Sequence, residues 1–201
     1  MAAPRLVLAS ASPARLRLLR QAGLDPEVVV SGLDEDAVVA ELGPASARVV
    51  VEELAARKAG AVAEGLDDGL VVGCDSMLEL GGEAFGRPAS VAAAERLWHR
   101  LRGAEATLLT GHAVVDAATG GLARDVEATV VRFGRPSDAE IAAYVASGEP
   151  VSVAGAFTLD GRSAPFVDGV DGNPGNVVGL SLPLLRRLLA ALGVPITALW
   201  T

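Results

Sequence analysis

Short apolar runs, bounded by glycine, proline or charge, alternate with longer stretches in which apolar positions recur at helical spacing. Leu6-Val7-Leu8-Ala9, after Arg5, reads as a buried strand. Residues 13–22 read as a helix, with Leu16, Leu18 and Leu19 set against Arg15, Arg17 and Arg20, and Gly23 ends it. Residues 27–30 read as a second strand, followed by an acidic loop, Asp34-Glu35-Asp36. A long helix is predicted over residues 45–64. Residues 70–74 form a short apolar strand ending at Asp75, and residues 77–85 a hairpin through Gly81-Gly82. Residues 91–101 read as helix. Residues 107–115 and 127–133 read as two strands linked across a turn at Thr119-Gly120-Gly121. Ser137 caps a helix that runs to Ala146, a glycine-rich stretch covers residues 155–175, and a last helix covers residues 182–192 with Pro183 near its start. Helices alternate with strands first and a hairpin region follows. The pattern predicts an α/β fold with a mixed sheet flanked by helices, and the 201 residues suit a single domain.

Charge narrows the partners. Lys and Arg number 17 and Asp and Glu 25, for a formal charge of −8. Such a chain repels polyanions at long range, so nucleic acid polymers and anionic membranes are not expected as partners. Small anions remain open, because a local basic cluster can outweigh the global charge. Cys74 is the only cysteine, which excludes an intrachain disulfide and a cysteine zinc site. With only His99 and His112 available, a metal would have to be a hard cation on oxygen ligands. Ala9-Ser10-Ala11 resembles a signal cleavage site, but the apolar run before it is too short for a secretory core, and a cytoplasmic location is expected. The apolar tail from Leu188 is broken by Gly193 and Pro195 and reads as a docked helix plus tail.

Two constellations carry candidate chemistry. In Ser10-Ala11-Ser12-Pro13-Ala14-Arg15 a strand runs directly into a helix, with Ser12 suited to the N-cap and Pro13 to the first turn. Free backbone N–H groups, two hydroxyls and Arg15 can cradle a phosphate there; an ordinary capped helix with a solvated arginine explains the same residues. No Walker A pattern is present. In Gly73-Cys74-Asp75-Ser76 a carboxylate stands at the end of an otherwise uncharged strand, where ligand crevices open in α/β proteins. Asp75 can hold Mg²⁺ or Mn²⁺ or take a proton from an attacking water; a turn aspartate bonded to its own backbone is the alternative. Cys74 reads as a small buried hydrophobe. Glu35, Lys58 and Arg87 add charge that is either functional or merely solvated, and Arg57 and Lys58 could equally be helix-face charges pairing with Glu53 or Glu64.

Taken in order, these pieces resemble the Maf family of nucleotide pyrophosphatases. Leu8-Ala9-Ser10-Ala11-Ser12-Pro13-Ala14-Arg15 is similar to its Ser-x-Ser-Pro-Arg-Arg motif, the segment from Gly32 to Glu35 to its Gly-x-Asp/Glu-Glu turn, and Ala56-Arg57-Lys58-Ala59 to its helical Lys-Ala pair. Gly73-Cys74-Asp75-Ser76 resembles its Gly-Ala/Cys-Asp-Thr strand end, and Gly86-Arg87-Pro88 its Gly-Lys-Pro. Ile141 to Val145 with Gly148-Glu149-Pro150 and Ala154-Gly155-Ala156-Phe157, then Asn176-Val177-Val178-Gly179-Leu180, resemble its C-terminal motifs. The resemblance implies two lobes with a central cleft, cleavage of nucleoside triphosphates between the α and β phosphates, a divalent metal and often a homodimer. It places Glu35 and Asp75 on the metal, Asp75 also as the base, and Ser10, Ser12, Arg15, Lys58 and Arg87 on the phosphates, with Lys58 counted among the catalytic residues. Ala14, Ser76 and Asp160 stand where the family reads the base. A branch acting on thymidine and uridine triphosphates has Arg at the position of Ala14 and Gln at that of Asp160; a branch acting on methylated guanosine triphosphate has an acidic residue at the latter. A preference for guanine-type or modified purine nucleotides over dTTP and UTP is therefore expected. The resemblance also carries an alternative, a catalytically idle nucleotide-binding regulator of septum formation. The inosine triphosphate type of pyrophosphatase is disfavoured, since its Thr/Ser-x-Asn-x-x-Lys opening is absent.

Overall fold

The computed structural model describes residues 4–201, so the first three residues of the expected domain lie outside the described residues. In chain order the elements are β1 (Leu6–Leu8), α1 (Pro13–Gln21), β2 (Glu27–Val28), α2 (Glu35–Leu42), α3 (Ala47–Ala63), β3 (Leu70–Leu80), β4 (Glu83–Phe85), α4 (Val91–Leu101), β5 (Glu105–Asp116), β6 (Leu122–Phe133), α5 (Asp138–Ala146), β7 (Val167–Asp171), α6 (Pro174–Val178) and α7 (Leu182–Ala191). The strands form one mixed sheet in the order β2-β1-β3-β5-β6-β7, with β4 paired to β3. β1 is parallel to β2 and β3, while β4 on β3 and β7 on β6 are antiparallel. This is the expected α/β class with a mixed sheet. None of the helices is long and apolar enough to cross a membrane among the described residues.

Two expectations are corrected. Asp34-Glu35-Asp36 is not a loop. Asp34 is the N-cap of α2 and accepts from the Ala37 backbone N–H at 3.0 Å, and Glu35 and Asp36 fill a first turn whose dipole favours acidic groups. Asp75 does not end a strand: β3 continues through it to Leu80 and turns at Gly81-Gly82 into β4, so the expected strand and hairpin are one continuous ladder. The glycine-rich stretch contains β7 and the start of α6.

The chain divides into two compact units. The first comprises Met1–Asp75, Thr110–Glu127 and Gly179–Thr201. Its strands are apolar on both faces, as a sheet covered by helices on both sides requires. Leu6 and Leu8 of β1 and Leu70, Val72 and Cys74 of β3 pack with Leu184, Leu185, Leu188 and Leu189 of α7. Val7 and Val71 point the other way, against Ala55, Ala59 and Val62 of α3. α3 lies unusually close to the strands. A Cβ on Gly73 would stand 2.2 Å from the Ala55 carbonyl oxygen, and one on Gly111 of β5 2.0 Å from that of Val51. Glycine at these two strand positions is what allows a helix backbone to rest on the sheet. The tail is docked as expected: Leu24 bridges to Trp200 and the Thr201 N–H donates to the Gly23 carbonyl.

The second unit comprises Ser76–Leu109 and Ala128–Val178. It gathers most of the aromatics of an aromatic-poor chain. Trp98 meets Phe133, Tyr144 and Phe166 edge-on, with centroids 5.2–5.8 Å apart. The indole N–H of Trp98 and the hydroxyl of Tyr144 both donate to the Ala156 carbonyl, at 2.8 and 3.2 Å. Ala156 is buried with φ 62, and these two donors hold the strained turn after Gly155.

Candidate active site

In the first unit, Lys58 is the centre of an ion cluster. It is the only lysine of the chain and is just 7% exposed. Its Nζ donates to Asp75 Oδ1 at 2.7 Å and lies 2.7 Å from Glu35 Oε1. The close approach of α3 to β3 at Gly73 puts the lysine beside the aspartate two residues further along the strand. The start of α2 supplies the glutamate. A buried ammonium without partners would be costly, and two carboxylates remove that cost. Burial pushes the Asp75 carboxyl above the usual range, while the charge and hydrogen bond of Lys58 pull it down. Arg57, the neighbouring cation, turns outward to Glu53 and Glu41 instead.

The Ser10–Arg15 segment folds as a capped helix start. Ser12 is the N-cap of α1, and its hydroxyl accepts from the Arg15 N–H at 3.4 Å. Ser10 Oγ accepts from the Ser12 N–H at 3.2 Å and from Arg15 Nη1 at 3.1 Å. Arg15 also reaches far in sequence: Nη1 donates to the Cys74 carbonyl at 2.9 Å and Nε to the Gly179 carbonyl at 2.8 Å. It ties the end of β1, the middle of β3 and the turn before α7 into one corner. Ser10, Ser12 and Arg15 thus share one corner at the end of β1, beside mid-strand Cys74 of β3, which Asp75 directly follows. Cys74 is fully buried and its thiol is pushed up to about 11, as an inert core group requires.

His112 is a residue that the sequence pattern did not single out. It is fully buried on β5; its Nδ1 lies 2.9 Å from the Thr110 carbonyl and its Nε2 receives the Ser181 N–H at 2.8 Å. Nδ1 is therefore the donor and the ring is neutral, with its pKa driven down to about 4 by burial. Ser181 is the N-cap of α7, so His112 holds the element that follows the Gly179 carbonyl. No local signal marks this histidine. Gly73 and Gly111, by contrast, carried one, since glycine inside an apolar strand indicates close backbone approach.

Of the remaining residues, Ser76, Arg87 and Asp160 belong to the second unit and Ala14 to the first. Ser76 is half-buried on β3, Arg87 is exposed beyond β4, and exposed Asp160 accepts from the Thr158 hydroxyl within its own turn. Ala14 lies in the first turn of α1.

Among the described residues no group of three His, Cys, Asp or Glu side chains is placed to hold a metal. Asp75 and Glu35 nevertheless converge on one cation, the Lys58 ammonium. Mg²⁺ commonly takes one or two carboxylates and completes its shell with phosphate and water, so this oxygen donor set fits a hard divalent ion.

Residues 5–192 match the Maf-like protein family. The chain belongs to that family. A nucleoside triphosphate pyrophosphatase of Streptomyces coelicolor is 61% identical over 196 residues, covering 98% of this chain and 94% of the relative. One of Streptomyces avermitilis is 59% identical over 197 residues, with 98% and 95% covered, and one of a Mycobacterium strain is 53% identical over 206 residues, with 98% of both covered. This Maf-like chain therefore aligns from end to end with proteins bearing that name.

Proposed function

We propose that this protein hydrolyses nucleoside triphosphates to the monophosphate and pyrophosphate. The observation that carries the reading is the buried Lys58 ammonium held 2.7 Å from both Asp75 and Glu35. A structural core has little use for two buried or half-buried carboxylates around the only lysine, whereas chemistry on a polyanion does. In the reaction, water bonds to the α-phosphorus, the bond to the α–β bridging oxygen breaks, and pyrophosphate leaves with that electron pair. Asp75 accepts the proton of the attacking water; its raised affinity for protons favours that transfer, and the charge of Lys58 keeps it ionised beforehand. Ser10, Ser12 and the N–H groups at the start of α1 hold phosphate oxygens, and Arg15 fixes their geometry. Mg²⁺ or Mn²⁺ on Glu35 and Asp75 supplies further positive charge and acidifies water.

Arg87 is assigned to the phosphates, where its guanidinium keeps the charge of the family's lysine. Asp160 is assigned to the base. Its carboxylate only accepts hydrogen bonds, which suits the N1–H and 2-amino edge of guanine better than thymine or uracil. Ala14 and Ser76 complete that assignment. A homodimer and a cytoplasmic location belong to the same reading, and sedimentation equilibrium tests the first.

The test is a panel of GTP, 7-methyl-GTP, dTTP and UTP with Mg²⁺ or Mn²⁺, reading pyrophosphate against orthophosphate. Pyrophosphate release with kcat/KM highest for the guanine nucleotides is expected. Nucleotide binding without turnover would overturn the enzymatic reading. Preference for dTTP or UTP, or an Asp160→Gln variant with unchanged ratios, would overturn the assignment of the base.

A further inference from the structure

The second unit contains a pocket of about 320 Å³ between β4, the turn after it and α4. Arg87, Arg96 and Arg100 line it, over a floor formed by Phe85, Pro88 and Leu97. Arg96 and Arg100 are one helical turn apart on the same face of α4, where like charges repel. Arg100 lies with its guanidinium carbon 4.9 Å from the Phe85 centroid and is ion-paired with Glu83. Among the described residues no carboxylate pairs with Arg87 or Arg96. This gathering occurs in a chain with a formal charge of −8, where most other arginines are matched to an acid. Self-repulsion around a concavity does not stabilise a fold, and it is relieved by an anion.

We propose that this pocket is a polyphosphate-binding site in which Arg96 and Arg100, together with Arg87, clasp a chain of two or more phosphates. Three forked donors present many N–H groups, and a di- or triphosphate offers enough oxygens to meet them, where a single carboxylate does not. The volume is that of a small-molecule site. The charge cluster stands without the activity. Only the source of the phosphates, the substrate's own chain or the pyrophosphate released from it, rests on the reading above.

Calorimetric titration of the full chain with inorganic pyrophosphate, and separately with a non-hydrolysable GTP analogue, tests it. Arg96→Ala with Arg100→Ala is expected to weaken pyrophosphate binding at least tenfold. Arg48→Ala, which removes one such charge from an exposed pair with Asp125, is expected to stay within twofold. The lysine pair, Arg96→Lys with Arg100→Lys, should fall between. Loss for both ligands assigns the site to the phosphate chain in general, and loss for pyrophosphate alone assigns it to the free product. No pyrophosphate binding by the wild type, a double-variant isotherm that superposes on the wild type, or an equal loss in Arg48→Ala overturns the proposal. Turnover is read separately. A protein that releases pyrophosphate from GTP but gives superposing isotherms refutes the pocket and leaves the activity. A protein that never turns over GTP but loses pyrophosphate binding in the double variant does the reverse. Both arginines are exposed, so the variants should fold, and the single Arg96→Gln serves if the double variant does not.

Discussion

Acid should loosen the first unit through His112, and the size of the effect follows from its surroundings. The ring is neutral in the folded chain because burial opposes its charge, with Arg15 and Arg187 pushing the same way and only the Thr110 carbonyl and Asp125 opposing them. Its pKa of about 4 lies below the 6.5 expected when unfolded. The unfolded chain therefore binds a proton at higher pH than the folded one. Stability from this group is complete above about pH 6.5 and is lost as pH falls towards about 4. Linkage gives a loss of roughly 1.4 kcal/mol at pH 5.5 and roughly 2–3 kcal/mol at pH 4.5. A proton on Nε2 would also face the Ser181 N–H, now its donor at 2.8 Å, so the start of α7 would be released first. The assay is urea denaturation of wild type and His112→Gln at pH 7.5, 6.5, 5.5 and 4.5. The glutamine can still accept from Ser181 but does not titrate, and every other group is common to both proteins. The difference in unfolding free energy should shift in favour of the variant by those amounts as pH falls. Parallel curves across the whole range would refute the reasoning.

Other outcomes follow from the same corner. Asp75→Asn should cut turnover about 10²–10⁴-fold. Its urea midpoint should stay near that of wild type, since asparagine can still accept from Lys58; turnover within a few-fold of wild type would remove Asp75 from the chemistry. Gly73→Ala places a methyl 2.2 Å from the Ala55 carbonyl oxygen and should destabilise by about 3 kcal/mol or more, the upper end for overpacking, because backbone rather than a side-chain tip must move. An unchanged melting curve would mean that α3 is free to shift. Excess EDTA should abolish turnover and added Mg²⁺ or Mn²⁺ restore it, whereas full activity in the chelator would exclude the metal on Glu35 and Asp75.

Much of the local structure was legible because its causes sit within a few residues of one another. Ser12 before Pro13, Ser137 three residues before Glu140, and Gly120 in the turn after β5 each bond or bend within their own turn. The same logic holds at Asp34, which caps α2 over an acidic first turn. The ordered motifs also reached Glu35, Lys58 and Asp75, and put the two carboxylates on one metal, but not against the lysine. Their assembly is a tertiary matter. Lys58 and Asp75 are 17 residues apart, and Arg15 finds its carbonyl acceptors 59 and 164 residues away. The sequence by itself determined the caps, turns and apolar faces, whose energies are local. Only the folded chain decided which charges would meet. Two strand glycines let a helix backbone touch the sheet, and that approach turns a helical lysine into the buried partner of a mid-strand aspartate.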